Sequence, residues 1–213
     1  MTKAIFSTSY LPSIEYIQTL WKFSSVKIEQ YENFPKQTAR NRCHILSANG
    51  IQTITIPVLH EHKVKVLIRD LKISYHEPWQ RVHWQALCSA YNKSPFYEFY
   101  RDDFEKIIFS NKTFLLDLNT ELLQLILRIL KVNAEIGKTG TYEEGYPEND
   151  FRFLSNGKSN SINNQQSTIN NQQYLQVFSY KFGFVPNLSI VDLIFNTGNA
   201  APDFVYSELN TDC

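Results

Sequence analysis

Ala4 to Tyr31 reads AIFSTSYLPSIEYIQTLWKFSSVKIEQY, and the pattern of this stretch decides the class of fold. Ala4 to Thr8 is short and mostly apolar, as a strand is. Ser7, Thr8, Ser9 and Tyr10 make a polar turn. Pro12 and Ser13 then open a helix, because proline suits a first turn and a serine side chain caps the free amides. Ile14, Ile17 and Trp21, with Leu20 beside them, recur at helical spacing. Ser25 to Tyr31 sets Val26 and Ile28 against Lys27 and Glu29, the alternation of a half-buried strand. Strand, helix and strand in so short a span form a βαβ unit, which implies a parallel pair. Open parallel sheets bind ligands beyond the carboxyl ends of their strands. Ser9, Tyr10 and the chain after Tyr31 are therefore expected near one another.

That following chain holds the most polar short motif, Lys36 to His44, KQTARNRCH. Arg40, Asn41 and Arg42, with Lys36 and Gln37, offer fixed forks of donors that suit an anionic or amide-bearing ligand. The alternative is a structural network that ties this segment to the helices. Cys43 to Val58 follows, with Asn49-Gly50 at its centre, the strongest short-range signal for a hairpin. A two-residue turn there pairs Ala48 with Ile51, Ile45 with Ile54 and Cys43 with Ile56. Cys43 and Ile45 then share the core face, while Arg42 and His44 lie on the opposite face beside Thr53 and Thr55.

Lys63 to Ile73 alternates again and reads as an edge strand. A helix begins at Pro78-Trp79 and runs to about Asn92, with Trp79, Val82, Ala86, Leu87, Ala90 and Tyr91 inward. A second spans about Phe96 to Ser110. Asn119 caps a third, whose stripe is Leu122, Leu125, Ile126, Ile129 and Leu130. Residues 156–173 are Ser/Asn/Gln-rich, with almost nothing to bury, and read as a mobile loop. Tyr174 to Lys181 is expected to be helical, stopped by Gly183. Ser189 and Asp192 have the spacing of a capping box before an apolar helix. The expected fold class is α/β: a single domain spanning residues 1–213, with a mixed sheet (N-terminal βαβ unit plus antiparallel hairpin) packed with helices.

The chain of 213 residues is 43% hydrophobic and 14% aromatic, enough for one sizeable core. Lys plus Arg equals Asp plus Glu at 21 each. That balance argues against a general nucleic-acid binder, which needs a basic surplus. Cys43, Cys88 and Cys213 are too few and irregular for a disulfide framework. No signal peptide or membrane-spanning run is visible, so a cytoplasmic protein with a small-molecule substrate is expected. No motif names a cofactor.

His83 is the best general-base candidate; it shares a helix side with Leu87, Ala90 and Tyr91. The alternative is a hydrogen-bonded histidine at the edge of the core. Cys43 is a poor nucleophile, because neighbours in a strand point to opposite faces and His44 cannot readily activate it. His60-Glu61-His62 puts two histidines on one side of an extended segment without an obvious third metal ligand, so no metal site is assigned. Asp192 either touches a ligand or is explained locally as a helix-start carboxylate. Tyr10, Tyr91 and Asn196 each either touch a ligand or close a polar network.

Taken together, YLPSIEYI at residues 10–17, KQTARNRCHI at 36–45, NGIQTITIPV at 49–58, PWQRVHWQALCSAYNKSPFYEFY at 78–100, YLQVF at 174–178 and GFVPNLSIVDLIFN at 183–196 resemble the WbqC-like family of bacterial proteins. The family pattern also places a histidine at His83 and an aspartate at Asp192. The resemblance implies an association with O-antigen and other surface polysaccharides. It implies a transferase of an amino-acyl, glycine-like group or an acyl group to a sugar; the alternative is a non-catalytic binding or scaffold protein of the same pathway. Longer members carry a further region where this chain has its Ser/Asn/Gln-rich segment.

Overall fold

The structure, a computed structural model, describes residues 3–59, 65–144, 149–156 and 172–206. Strand β1 (Lys3–Ser7) leads through a buried loop into helix α1 (Ile14–Leu20), and β2 (Ser25–Glu29) returns parallel to β1. The Ser13 side chain caps α1 by accepting from the Tyr16 amide. Strand β5 (Glu135–Lys138) adds in parallel on the far side of β2, giving the order β1-β2-β5. On its other edge β1 meets residues 149–151: the Ile5 amide donates to Asn149 O at 2.9 Å, and Phe151 N donates to Ile5 O at 2.8 Å. The chain thus moves outward from β1 to β2 and β5, then returns to the opposite side of β1. This reversal is a topological switch point.

Strands β3 (Arg42–Ser47) and β4 (Gly50–Thr55) form the antiparallel hairpin as a separate sheet. Its register corrects the expectation by two residues: Cys43 pairs with Ile54 and Ile45 with Gln52, while Ser47 and Gly50 close the turn. Ala48 and Asn49 form the loop. Only Gly50, at φ +100°, needs positive φ, and the Ser47 hydroxyl braces the turn by donating to Gly50 O at 2.9 Å. A two-residue shift keeps every side chain on its face. Cys43, Ile45 and Ile54 are accordingly buried, and His44, Thr53 and Thr55 exposed.

Helices α2 (Trp79–Tyr91), α3 (Tyr97–Ile108) and α4 (Leu115–Ile129) cover the core, and α6 (Ile190–Thr197) runs through it. Ile190 to Phe195 are all buried, the pattern of a helix enclosed on every side. The Phe195 ring meets Tyr91, Tyr97 and Phe104 at 5.2–5.5 Å. Gly198, at φ +55°, ends this helix where a Cβ would fall 2.3 Å from Phe96, so no other residue fits. Short helices α5 (Ser179–Phe182) and α7 (Ala201–Tyr206) complete the elements.

Several local expectations are corrected. Residues 65–73 form no edge strand; they make isolated bridges, with a turn of 3-10 helix at Ile68–Asp70. Val82 is 56% exposed; the buried face of α2 runs through Trp79, His83, Trp84 and Leu87 instead. Asn119 lies inside α4, which starts at Leu115. Only Ser179–Phe182 of the expected 174–181 helix forms. His60, Glu61 and His62, and nearly all of the 156–173 segment, lie outside the described residues.

Candidate functional site

The polar candidates separate into three groups, two of them sharing the buried loop between β1 and α1. The first group sits at the carboxyl ends of the parallel strands. Arg40, 2% exposed, reaches across the switch point. Its Nε and Nη2 donate to the two Glu32 carboxylate oxygens at 2.8 Å each, Nη2 also to Ser7 Oγ at 2.7 Å, and Nη1 to Ser155 O and Asn156 Oδ1 at 3.2 and 3.1 Å. A guanidinium has five N–H groups; here protein atoms occupy the whole fork. Asn119 donates from its amide to Thr8 Oγ1 at 3.1 Å and to Arg40 O at 2.8 Å, which is why a helix-interior asparagine belongs here. Glu29, fully buried at the end of β2, accepts from the Tyr31 amide, the Thr139 hydroxyl and the Glu143 amide, with Arg152 at 3.7 Å. The expected meeting of Ser9 and Tyr10 with the chain after Tyr31 occurs: Tyr10 N donates to Ala39 O at 2.9 Å, and Ser9 Oγ at 3.3 Å.

The second group is enclosed between that loop, β3, α2 and α6. His83, 3% exposed, has its Nε2 3.1 Å from Thr55 O and its Nδ1 3.0 Å from the Tyr10 hydroxyl. A carbonyl only accepts, so Nε2 carries the proton and Nδ1 accepts from Tyr10. Burial, only partly offset by the Thr55 bond, brings the His83 pKa down to about 4, so the ring is neutral with both nitrogens engaged. Burial and the neighbouring Cys43 raise the Tyr10 phenol well above its usual value. The Cys43 thiol, 5% exposed, is likewise pushed up by burial and stays protonated. It lies beside Ser189, whose hydroxyl donates to Leu11 O at 2.8 Å instead of capping α6.

Asp192 corrects the capping-box reading. Its carboxylate turns inward, accepting from Tyr174 at 2.6 Å and from Gln176 at 3.0 Å. Burial raises its pKa to about 6 against these hydrogen bonds. The Tyr91 hydroxyl stands near this carboxylate without completing a well-formed bond. Asn196 donates to Asp192 O at 2.8 Å and accepts from Ser94 at 3.1 Å.

The third group lies on the outer face of the hairpin. Arg42 is half-buried opposite Thr55, and its Nε is shut off from water with no acceptor. His44 stands next along that face, its Nδ1 2.9 Å from Thr53 Oγ1. Partial burial and then Arg42 hold its pKa below the ordinary imidazole value. Lys36 and Gln37 are exposed on the preceding loop, Gln37 at φ +60°. Asn41 is buried, donating to Ile56 O at 2.8 Å, with its Oδ1 unpaired. Arg40 and Arg42 therefore share no partner and do not form one clamp.

The structure joins Tyr10 to His83, and Tyr91 and Asn196 to Asp192. Sequence reasoning passed over Glu29, Glu32, Asn119, Ser155, Tyr174 and Gln176. For the last two a signal existed, since both lie in the YLQVF motif. Among the described residues no cluster of three or more His, Cys, Asp or Glu side chains is placed to hold a metal ion, and no helix is long and apolar enough to cross a membrane.

A protein of Mycobacterium tuberculosis (strain ATCC 25618 / H37Rv), uncharacterized protein Rv1507c, is 26% identical over 233 residues, covering 95% of this chain and 96% of its own. No solved structure matches the chain. Residues 8–154, well over half the chain, match the WbqC-like protein family and take in Glu29, Glu32, Arg40 and Asn119 of the strand-end cluster, the hairpin and His83. The chain belongs to the WbqC-like protein family.

Proposed function

We propose that the protein transfers an acyl or amino-acyl group from an activated donor, a thioester or an acyl phosphate, to a sugar of surface-polysaccharide biosynthesis. The acceptor oxygen or nitrogen bonds to the acyl carbon, the bond from that carbon to the leaving group breaks, and the acceptor proton ends on the leaving group. One observation carries the reading: Arg42, half-buried on the outer face of the hairpin, has no hydrogen-bond or carboxylate partner among the described residues. Such a fork suits the phosphate or carboxylate that a nucleotide-linked sugar or activated donor brings. Lys36 and Gln37 extend the contact from the adjoining loop. Arg40, Asn41, Tyr10, His83, Tyr91, Asp192 and Asn196 build the support behind it, and the role of His83 is to hold Tyr10 and the Thr55 carbonyl in register.

The test is a thermal-shift panel of sugar nucleotides, acyl thioesters and amino-acyl adenylate analogues, followed by mass spectrometry of donor–acceptor mixtures. Binding raises the melting temperature by mass action. A shift lost in Arg42→Ala, together with an acylated sugar, supports the reading; no shift and no product across the panel refute it. The closed hydrogen bonding of His83 favours a second reading, a non-catalytic binding protein of the same pathway. Ligand binding without any product would select it.

A further inference from the structure

Arg42 is not the only polar side chain on the outer face of the hairpin. The Arg42 Nε is closed to water and so to a ligand, which leaves the outer end of the same guanidinium for an anion to meet. Arg40 and Arg152, placed elsewhere, each hold a carboxylate. Among the described residues no carboxylate pairs with Arg42, and its cross-strand neighbour is neutral. Thr55 stands directly across the ladder, and Thr53 stands across from His44, all projecting from the face turned away from the core. Thr53 occupies only the Nδ1 side of the His44 ring. His44 is an exposed residue whose Nε2 has no bonded partner among the described residues, unlike His83, whose two nitrogens are both taken.

We infer that Arg42, His44, Thr53 and Thr55 form an oxyanion-binding and proton-accepting centre, in which the Arg42 fork takes two oxygens of a phosphate or carboxylate and His44 Nε2 receives a proton from a group bound alongside. The inference rests on the proposed reading of Arg42 as the anion contact and adds to it the base that His83 is not free to supply. In the tautomer that donates Nδ1–H to Thr53 Oγ1, the Nε2 lone pair is left to accept a proton, as a general base requires. Burial and, after it, Arg42 favour the neutral ring, and a bound anion offsets the Arg42 part of that effect. Among the described residues, the other neighbours established for His44 are uncharged: β4 contributes the Thr53 and Thr55 hydroxyls, and the opposite edge of β3 meets the Ser189 amide at His44 O.

The experiment follows the histidine ring signals of the full chain by NMR while inorganic phosphate or acetate is added at constant ionic strength, with chloride as the control. Expected is a His44 pKa below the ordinary imidazole range that rises with phosphate or acetate and not with chloride, while His83 does not respond. Arg42→Gln should raise the His44 pKa of the free protein and weaken anion binding on the order of tenfold, one charge-assisted fork's worth of affinity. Arg42→Lys, which keeps the charge and loses the fork, should fall between. A response to phosphate alone assigns a phosphoryl group, and one to acetate alone a carboxylate. No response of wild-type His44 to either anion, or an equal response in Arg42→Gln, overturns the centre. A full His44 response with no acylated sugar retires the transfer reading and leaves the centre standing; product without a His44 response does the reverse.

Discussion

Replacing Arg40 with methionine separates a structural strut from a ligand contact. Methionine fills much of the arginine stem and removes all five donated hydrogen bonds. Ser155 O keeps a second donor, the Ala39 amide at 2.9 Å, so it is not orphaned. The main loss falls on the Glu32 carboxylate, whose side chain is 13% exposed and which pairs with no other cation among the described residues. Breaking a buried pair by removing one partner costs about 3–5 kcal/mol, and the slight exposure of Glu32 places this case near 3. With a urea slope of about 3 kcal/mol per molar, the unfolding midpoint should drop by about 1 M. Arg40→Met combined with Glu32→Leu removes both charges together and should recover most of that loss, giving a coupling of roughly 2 kcal/mol in a double-mutant cycle. The readout is urea unfolding followed by tryptophan fluorescence. A loss below about 1 kcal/mol for Arg40→Met, with anion binding abolished, would refute the strut assignment and make Arg40 a ligand contact.

Three further outcomes follow from the buried groups. The folded pKa of Asp192 is raised to about 6, so the protonated form suits the fold, and its contribution is full below about pH 4 and lost as pH rises through 6. Asp192→Asn should therefore gain stability relative to wild type by up to about 3 kcal/mol between pH 4 and pH 7, and a pH-independent difference would rule this out. His83 is depressed to about 4, so its contribution is present above the ordinary imidazole pKa and lost as pH falls from there toward 4. Its ¹⁵N signals should show a neutral ring protonated at Nε2 throughout pH 6–8; imidazolium appearing near pH 6.5 would contradict the Tyr10–His83–Thr55 arrangement. Cys43, buried and protonated, should react with an aromatic disulfide reagent in native protein at least about a hundredfold more slowly than in urea, and comparable rates would place it at the surface.

What the sequence revealed was local. Val26 and Ile28 alternate with Lys27 and Glu29 within one strand, and Ser13 bonds three residues away, so the βαβ unit and its helix start were readable. The faces of the hairpin were readable too, because side-chain parity survives a two-residue slip; the register was not, because the Ser47 hydroxyl chose the turn. Strand β5 escaped notice because Glu-Ile-Gly-Lys is short and barely buried, and its strand character comes from β2. Asn119 and Asp192 both carry the local marks of helix starts. Their real partners lie 111 and 79 residues away for Asn119, and 18 and 16 for Asp192. Arg40 and Arg42 look alike in composition, yet one is saturated inside and the other open outside, a division set by which residues their neighbours bring to them.

The loop between β1 and α1 draws its hydrogen bonds from the far end of the chain. Ile14 N donates to Leu188 O at 3.0 Å, Ile190 N to Pro12 O at 2.8 Å, and Ser189 Oγ to Leu11 O at 2.8 Å. Asn187 and Glu15 clasp each other twice, at 3.1 and 2.9 Å. During synthesis, residues 11–15 leave the ribosome long before residues 187–190 exist, and until then these groups have only water as partner. Buried amides and carbonyls need such partners before they can leave water. The first βαβ unit must therefore wait, hydrated and incomplete, while nearly the whole chain is translated. Its closure is a late event coupled to the arrival of α6, and a ribosome stalled before residue 187 holds a nascent chain with no finished domain.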